Sequence, residues 1–350
     1  MRVVVVGATG NVGTSLLRAL GDDGSVREIV GIARRRPRLE LPKVEWRTAD
    51  IARDDLVTHF RGADAVVHLA WLIQPTRDLA ALRATNVDGS TRLFDAVRRA
   101  GAPALVYASS VGAYSPGPKD AAVDESWPTD GVPTNEYSRQ KAEVERVLDA
   151  FERESPDVRV VRLRPGLIFK RESAEEQRRY FAGPLVPTSL VRRGLVPLVP
   201  DIPGLRFQAV HSDDVGEAYR LAVTRDARGA FNIAAEPVLD MRTIAKLLGA
   251  RPVRVPAKVA RAAATAAWRL HAVPITPSWL DMALASPVMD ISRARTELGW
   301  EPRRTAIAAI EDLLAGIREN AGLETPPLAP GTSGPMRVRE LLTGIGRRNA

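Results

Sequence analysis

A tyrosine and a lysine stand four residues apart in the segment Tyr137-Ser-Arg-Gln-Lys141. Both fall in Glu136–Glu154, an amphipathic stretch that predicts a helix, so the two side chains share one face, a turn apart. An ordinary tyrosine is a poor base at neutral pH, with a pKa of about 10. A nearby ammonium stabilises its phenolate and lowers that value. Such a pair can pass a proton to or from a hydroxyl or carbonyl oxygen. Upstream, LVYASSVGAY reads as a strand whose end presents Ser109 and Ser110. A hydroxyl there can hydrogen-bond the reacting oxygen.

These groups need a scaffold, and the chain opens on one. In MRVVVVGATGNVG a β-branched run feeds into Gly7, Gly10 and Gly13, and TSLLRALG then reads as a helix. A strand, a glycine turn and a helix start suit a dinucleotide pyrophosphate. The glycines admit phosphates close to the backbone, and the helix N-terminus offers N–H groups and a positive dipole end. The spacing is G-x-x-G-x-x-G rather than the commoner G-x-G-x-x-G, and taken alone it reads equally as a plain strand-to-helix turn. Apolar runs follow at Ile29–Ala33, Ala65–Leu69, Ala104–Ala108 and Val158–Leu163, with amphipathic Leu79–Ala100 and Glu136–Glu154 between them. That alternation predicts an α/β fold with a doubly wound parallel (Rossmann) sheet.

The pattern changes after Pro165, with Pro184, Pro187, Pro197, Pro200 and Pro203 close together. The expected organisation is a dinucleotide-binding domain over 1–165. A smaller, mainly α substrate-binding region over 166–323 shares elements with the sheet. Residues 324–350 form a Pro/Gly-rich linker and basic tail, in which MRVRELLTGIGRRNA reads as a short helix, solvated or docked.

Composition excludes several classes. The chain of 350 residues is 45% hydrophobic and 26% charged, as ordinary globular proteins are. It has no cysteine, so disulfides, thiolate metal sites and a cysteine nucleophile are ruled out. The net charge of +8 comes with no nucleic-acid recognition motif and is spread along the chain, which fits an anionic small molecule as partner better than nucleic acid. No signal peptide is visible, and the Ala-rich stretch Ala257–Val273 is too short and too charged to span a bilayer. A cytoplasmic protein without a membrane partner is expected; a homodimer is the assembly considered. His59, His68, His211 and His271 show no metal-ligand spacing, and no metal is expected. Asp213-Asp214 reads as a helix cap. Trp268, Trp279 and Trp300 either line a pocket or fill the core.

Glycine turn, strand-end serine and Tyr-x-x-x-Lys occur in that order. With VVHLAW, TNVDGSTRLFDA, RLRPGLIF and VHSDDVGEAY, they make the chain resemble the extended short-chain dehydrogenase/reductase family over most of residues 1–235. That family includes NAD(P)-dependent sugar epimerases, dehydratases and hydroxysteroid-type dehydrogenases. The resemblance implies that Tyr137 is the catalytic acid/base. Lys141 would lower its pKa and hold the nicotinamide ribose, and Ser110 would polarise the substrate oxygen. It places cofactor contacts at Gly7, Thr9, Gly10, Asn11, Val12 and Gly13, at Asp50 and Ile51 near the adenine, and at Leu69, Ala70 and Pro165. His68 precedes the loop that passes the cofactor, and Asn86 and Asp214 match positions read as structural.

Cofactor and substrate follow from what is present and missing. The NAD-binding pattern ends its second strand in an acid that accepts from the ribose hydroxyls. Here EIVGIA ends in Arg34-Arg35-Arg36. Arginines pair with a 2′-phosphate, so NADP is expected, with NAD the second choice. Ser110-Val111-Gly112 replaces the Thr-Asp-Glu run of the sugar dehydratases. Arg164-Pro165-Gly166 lacks the asparagine that contacts a sugar-nucleotide diphosphate, and Phe169-Lys170 stands where Tyr-Gly is usual. Trp71, Leu72 and Ile73 suit an apolar substrate, with Trp71, Ser110 and Tyr114 at its wall. The expected enzyme is an NADP-dependent oxidoreductase acting on a carbonyl or secondary alcohol of a moderately apolar small molecule. The alternatives are a nucleotide-sugar epimerase that retains NAD and a non-catalytic NADP-binding sensor.

Overall fold

Val3, Val4 and Val5 have no exposed surface, which requires apolar side chains on both faces of their strand. The computed structural model describes residues 1–73, 78–178, 196–270, 273 and 276–329. In it this strand lies inside a seven-stranded sheet. In chain order the strands are β1 (Arg2–Val6), β2 (Glu28–Ala33), β3 (Val44–Thr48), β4 (Ala65–His68), β5 (Ala104–Ala108), β6 (Arg159–Pro165) and β7 (Gly229–Ile233). They pair in parallel in the order β7-β6-β5-β4-β1-β2-β3. The order reverses between β1 and β4, and the crevice beyond the strand ends there is where such sheets bind ligands.

Helices cover both faces because their apolar residues fall on one stripe. Leu16, Leu17 and Leu20 of the Asn11–Gly21 helix join one core cluster with Val215, Ala218 and Tyr219 of Ser212–Thr224. Leu93, Phe94 and Val97 of Gly89–Ala100 join the other with Val144, Leu148 and Phe151 of Glu136–Glu154.

One expectation is refined and two are corrected. The amphipathic stretch Leu79–Ala100 is helical throughout, as Leu79–Arg83, a π-helical turn Ala84–Asp88 and Gly89–Ala100 in direct succession. The turn sits at Asn86. Its side chain accepts from Leu72 N (2.8 Å) and donates to Leu72 O (3.0 Å) and Gln140 Oε1 (2.9 Å), fastening the segment that carries Trp71. The region after Pro165 is richer in strands than expected. Leu167–Phe169, Arg206–His211 and Ala235–Asp240 form a three-stranded sheet, and Leu198–Asp201 pairs with Arg251–Arg254. Prolines inside these short strands (Pro200, Pro237, Pro252) interrupt the apolar runs that announce strands elsewhere. Finally, the cap before Asp213-Asp214 is His211, whose Nδ1 accepts from Asp213 N (3.1 Å). Pro184, Pro187, Arg192, Arg193, His271 and the basic 336–350 segment lie outside the described residues. Among the described residues, no helix is long and apolar enough to cross a membrane.

Candidate active site

The glycine turn is shaped by two of its three glycines. Gly7 has φ +87°, and a Cβ there would lie 2.5 Å from Ala70 N. A Cβ on Gly13 would lie 2.6 Å from the carbonyl oxygens of Gly7 and Ala8. Gly10 differs, because its Cβ would meet only Gly7 O at an ordinary 3.5 Å. The fold therefore tolerates a side chain at Gly10, and the space above it remains for a ligand. That cradle, at the N-terminus of the Asn11–Gly21 helix with its first N–H groups unpaired within the helix, fits a dinucleotide pyrophosphate. Gly10→Ala is expected to unfold at the wild-type temperature yet bind NAD and NADP about tenfold more weakly or worse. Thermal melts and dinucleotide titrations check this; unchanged binding would place the phosphates elsewhere.

A single cleft collects many of the residues expected to bind cofactor: Gly7, Thr9, Gly10, Arg34, Asp50, Ile51, Leu69 and Ala70, with Trp71 beside them. Asp50 Oδ1 accepts from Ala52 N (3.0 Å), which turns its loop toward the cleft. Arg34 and Arg35 are exposed at the end of β2 and form no ion pair among the described residues. Asn11 Nδ2 donates to Ile168 O (3.1 Å), while its buried Oδ1 has no partner among the described residues. Val12, Gly13, Arg35 and Pro165 do not line this cleft. Val12 packs on the core, Gly13 is a packing position, and Pro165 ends β6 opposite Ile233. Pro327 was not expected here. It reaches the cleft from a segment whose Leu328 is fully buried and whose Glu324 O accepts from Arg38 N (3.3 Å).

The chemical groups sit on a locked helix start. Asn135 caps Glu136–Glu154 by accepting from Ser138 N (2.9 Å). Ser138 Oγ donates to Gly112 O and accepts from Val132 N, tying the helix to the loop after β5. Ser110 Oγ accepts from Gly112 N (3.0 Å) in that loop and lies close enough to the Tyr137 hydroxyl to favour its ionised form. Burial pushes the Tyr137 hydroxyl up to about 12, and Ser110 opposes that rise. Lys141 Nζ donates to Ala108 O (2.6 Å) and lies 3.5 Å from the centre of the Trp71 ring, against 5.9 Å from that of Tyr137. Burial draws its ammonium well below the usual lysine range, and Glu145 opposes. Two expectations change here. Lys141 does not bring Tyr137 down in this arrangement, because burial dominates and the ammonium rests on Trp71. Tyr114 is fully buried away from the cleft, its hydroxyl donating to Asn232 Oδ1 (2.7 Å) and accepting from Arg164 (3.1 Å).

Aromatic side chains surround the tyrosine. Its ring centre lies 6.0 Å from Trp71, edge to face, and 5.4 Å from Trp279. Trp279 arrives on the Ser278–Ala285 helix, which also sets Met282 against Gly112. Trp300 instead fills the core, its indole donating to Asp214 O (2.7 Å). His68 is buried, with Nε2 2.9 Å from Ser90 Oγ; burial and the nearby Lys141 hold its pKa at about 3, so it is neutral. Among the described residues, no three His, Cys, Asp or Glu gather to hold a metal.

Sequence reasoning missed Glu145, which is fully buried one helical turn after Lys141. Its signal was present: after Arg159, Arg162 and Arg164 alternate with apolar residues in RVVRLRP, and a buried strand with two like charges needs a buried counter-charge. Glu145 accepts from Ser109 Oγ (2.5 Å), Arg162 (2.9 Å) and Arg164 (2.9 and 3.1 Å). Burial would push its carboxyl up, but the two arginines and Ser109 hold it at about 2.

Known proteins share this construction. The NAD dependent epimerase/dehydratase family matches residues 3–234. An uncharacterised protein of Mycobacterium tuberculosis H37Rv is 26% identical over 324 residues, covering 90% of this chain and 83% of that one. The UDP-glucose 4-epimerase of Thermus thermophilus, solved with NAD, superposes with a TM-score of 0.67 at 20% identity, over 91% of this chain and 99% of that one. MoeE5, solved with UDP-glucuronic acid and NAD, gives a TM-score of 0.67 at 22% identity over the same shares. These two likenesses concern the fold, whereas the family match covers well over half the sequence. The chain belongs to the NAD-dependent epimerase/dehydratase family and is an enzyme of the extended short-chain dehydrogenase/reductase type.

Proposed function

We propose that the protein performs redox chemistry at a carbinol or carbonyl carbon of a small molecule. The observation that carries this reading is the placement of Tyr137 and Lys141 one helical turn apart, both packed on Trp71, which itself lines the glycine-turn cleft. Held by Gly7, Gly10, Asp50, Leu69 and Ala70, a nicotinamide dinucleotide would supply hydride transfer. Ser110 orients the reacting oxygen by hydrogen bonding. Tyr137 is protonated at neutral pH and gives its proton to that oxygen when a carbonyl is reduced. In the reverse direction its phenolate must accept one, and the raised pKa keeps that phenolate scarce at neutral pH. Trp71 and Trp279 flank the tyrosine ring, which keeps part of its surface exposed for a substrate.

Two outcomes share this step. In an epimerase the configuration of the carbon changes; in an open oxidoreductase its oxidation state changes. The NAD-containing structures of proteins that bind nucleotide sugars support the epimerase outcome, with retained NAD, over the NADP-linked oxidoreductase expected from the sequence. The oxidoreductase reading keeps one specific support, the Trp71–Tyr137–Trp279 wall, which suits an apolar compound better than a sugar. Nucleotide released from the denatured protein, together with calorimetric titration by UDP and dTDP, separates the two. Stoichiometric NAD and micromolar nucleotide binding establish the epimerase. Neither result, with reduced-nicotinamide turnover of an apolar ketone, establishes the oxidoreductase.

The cofactor's 2′ position remains a proposal of its own. Arg34 lines the cleft and is free of ion pairs among the described residues, which favours a 2′-phosphate. Arg34→Asp is expected to raise the NADP-to-NAD ratio of dissociation constants by about tenfold or more. An unmoved ratio would make Arg34 a surface charge only.

A further inference from the structure

Tyr137, Lys141 and Glu145 occupy one face of the Glu136–Glu154 helix at successive turns. The first two belong to the chemistry proposed above, on which this inference rests; the third has no part in it. Ser109 and Ser110 are neighbours at the end of β5, and they face different groups. Ser109 Oγ donates to Glu145 (2.5 Å), while Ser110 stands on the side of Tyr137. Glu145 also receives Arg164 from β6 through two nitrogens (2.9 and 3.1 Å) and Arg162 through one (2.9 Å). One carboxylate thus fastens the helix, β5 and β6 together one helical turn after Lys141.

Charge sharpens the point. Facing Lys141 from β4 is neutral His68, and from β5 Tyr107, its ring centre 5.1 Å away. From β6 Arg162 and Arg164 reach Glu145, and Tyr219 of Ser212–Thr224 faces the tyrosine side. Asp149 and Glu152 pair with Arg162 at the outer, partly exposed end. Within this group Glu145 is the fully buried anion, set among three cations.

We infer that Glu145 is a positioning residue for the reaction: it clamps the serine-bearing strand end to the tyrosine helix and supplies the negative charge that keeps Lys141 an ammonium. Removing the charge while keeping the shape must therefore let Lys141 lose its proton at lower pH. The chain has six lysines, so ¹³Cε-lysine spectra can follow each, with Lys141→Arg identifying the signal. This readout needs neither substrate nor cofactor. In Glu145→Gln the Lys141 midpoint is expected to fall by about one pH unit or more. In Glu145→Asp, which retains the charge one methylene further back, it should fall by less. An unmoved midpoint in both variants overturns the inference; should the Gln variant not fold, the Asp variant decides alone. Ser109→Ala leaves every charge in place and tests the clamp. It should lower kcat about fivefold or more with KM and the pH profile unchanged, and a wild-type kcat overturns that half. If the reaction itself has been misread, no variant shows turnover, and the lysine titration still answers.

Discussion

Tyr137→Phe is expected to reduce turnover by about a hundredfold or more, within the usual range for a lost general acid. The ring still packs between Trp71 and Trp279, so the loss isolates the hydroxyl beside Ser110. Dinucleotide affinity should stay nearly constant, because the cleft is walled by the glycine turn, Asp50, Leu69 and Ala70 rather than by this ring. Single-turnover rates and cofactor titrations on the purified variant measure both quantities. Near-wild-type turnover would remove Tyr137 from the mechanism. With the hydroxyl pushed up to about 12, carbonyl reduction should lose no rate to tyrosine ionisation across neutral pH, whereas alcohol oxidation should speed up as pH rises.

Gly7→Ala is expected to damage stability and binding together. At φ +87° an alanine is strained, by about 1–2 kcal/mol. Its Cβ also falls 2.5 Å from Ala70 N, a backbone atom that cannot rotate aside. Ala70 must move, and with it the loop from Leu69 to Leu72 that walls the cleft. The melting temperature should fall by about 4 °C or more, and dinucleotide binding by well over the tenfold expected of Gly10→Ala. A Gly7→Ala protein that melts and binds like wild type would show that the turn relaxes freely.

The sheet was legible because five of its strands announce themselves by apolar runs, and parallel strands buried on both faces have little else to be. Ser110, Tyr137 and Lys141 were legible for a different reason: their order and spacing persist in one dimension. What sequence hid was competition for the same groups. Lys141 could be read as a partner of Tyr137, but nothing in the spacing showed Trp71 taking the face of its ammonium at 3.5 Å. Tyr114 looked accessible because it follows the serine loop closely, yet Asn232 and Arg164, far away in the chain, draw its hydroxyl inward. Trp279 could not be placed, since its partner lies across a helix–helix contact.

Pro327 and the buried Leu328 give the cleft a history as well as a shape. The glycine turn is synthesised before the other walls of the cleft, and strands β1 to β6 are complete by Pro165. Domains generally fold as their N-terminal parts emerge. Yet the wall against Arg38 is added only after Glu324 has been translated, and the edge strand β7 only after Ile233. A nascent chain thus carries the glycine turn with the cleft still open on its Arg38 side until the Pro327 segment arrives. Completion of the binding site is a late event of synthesis.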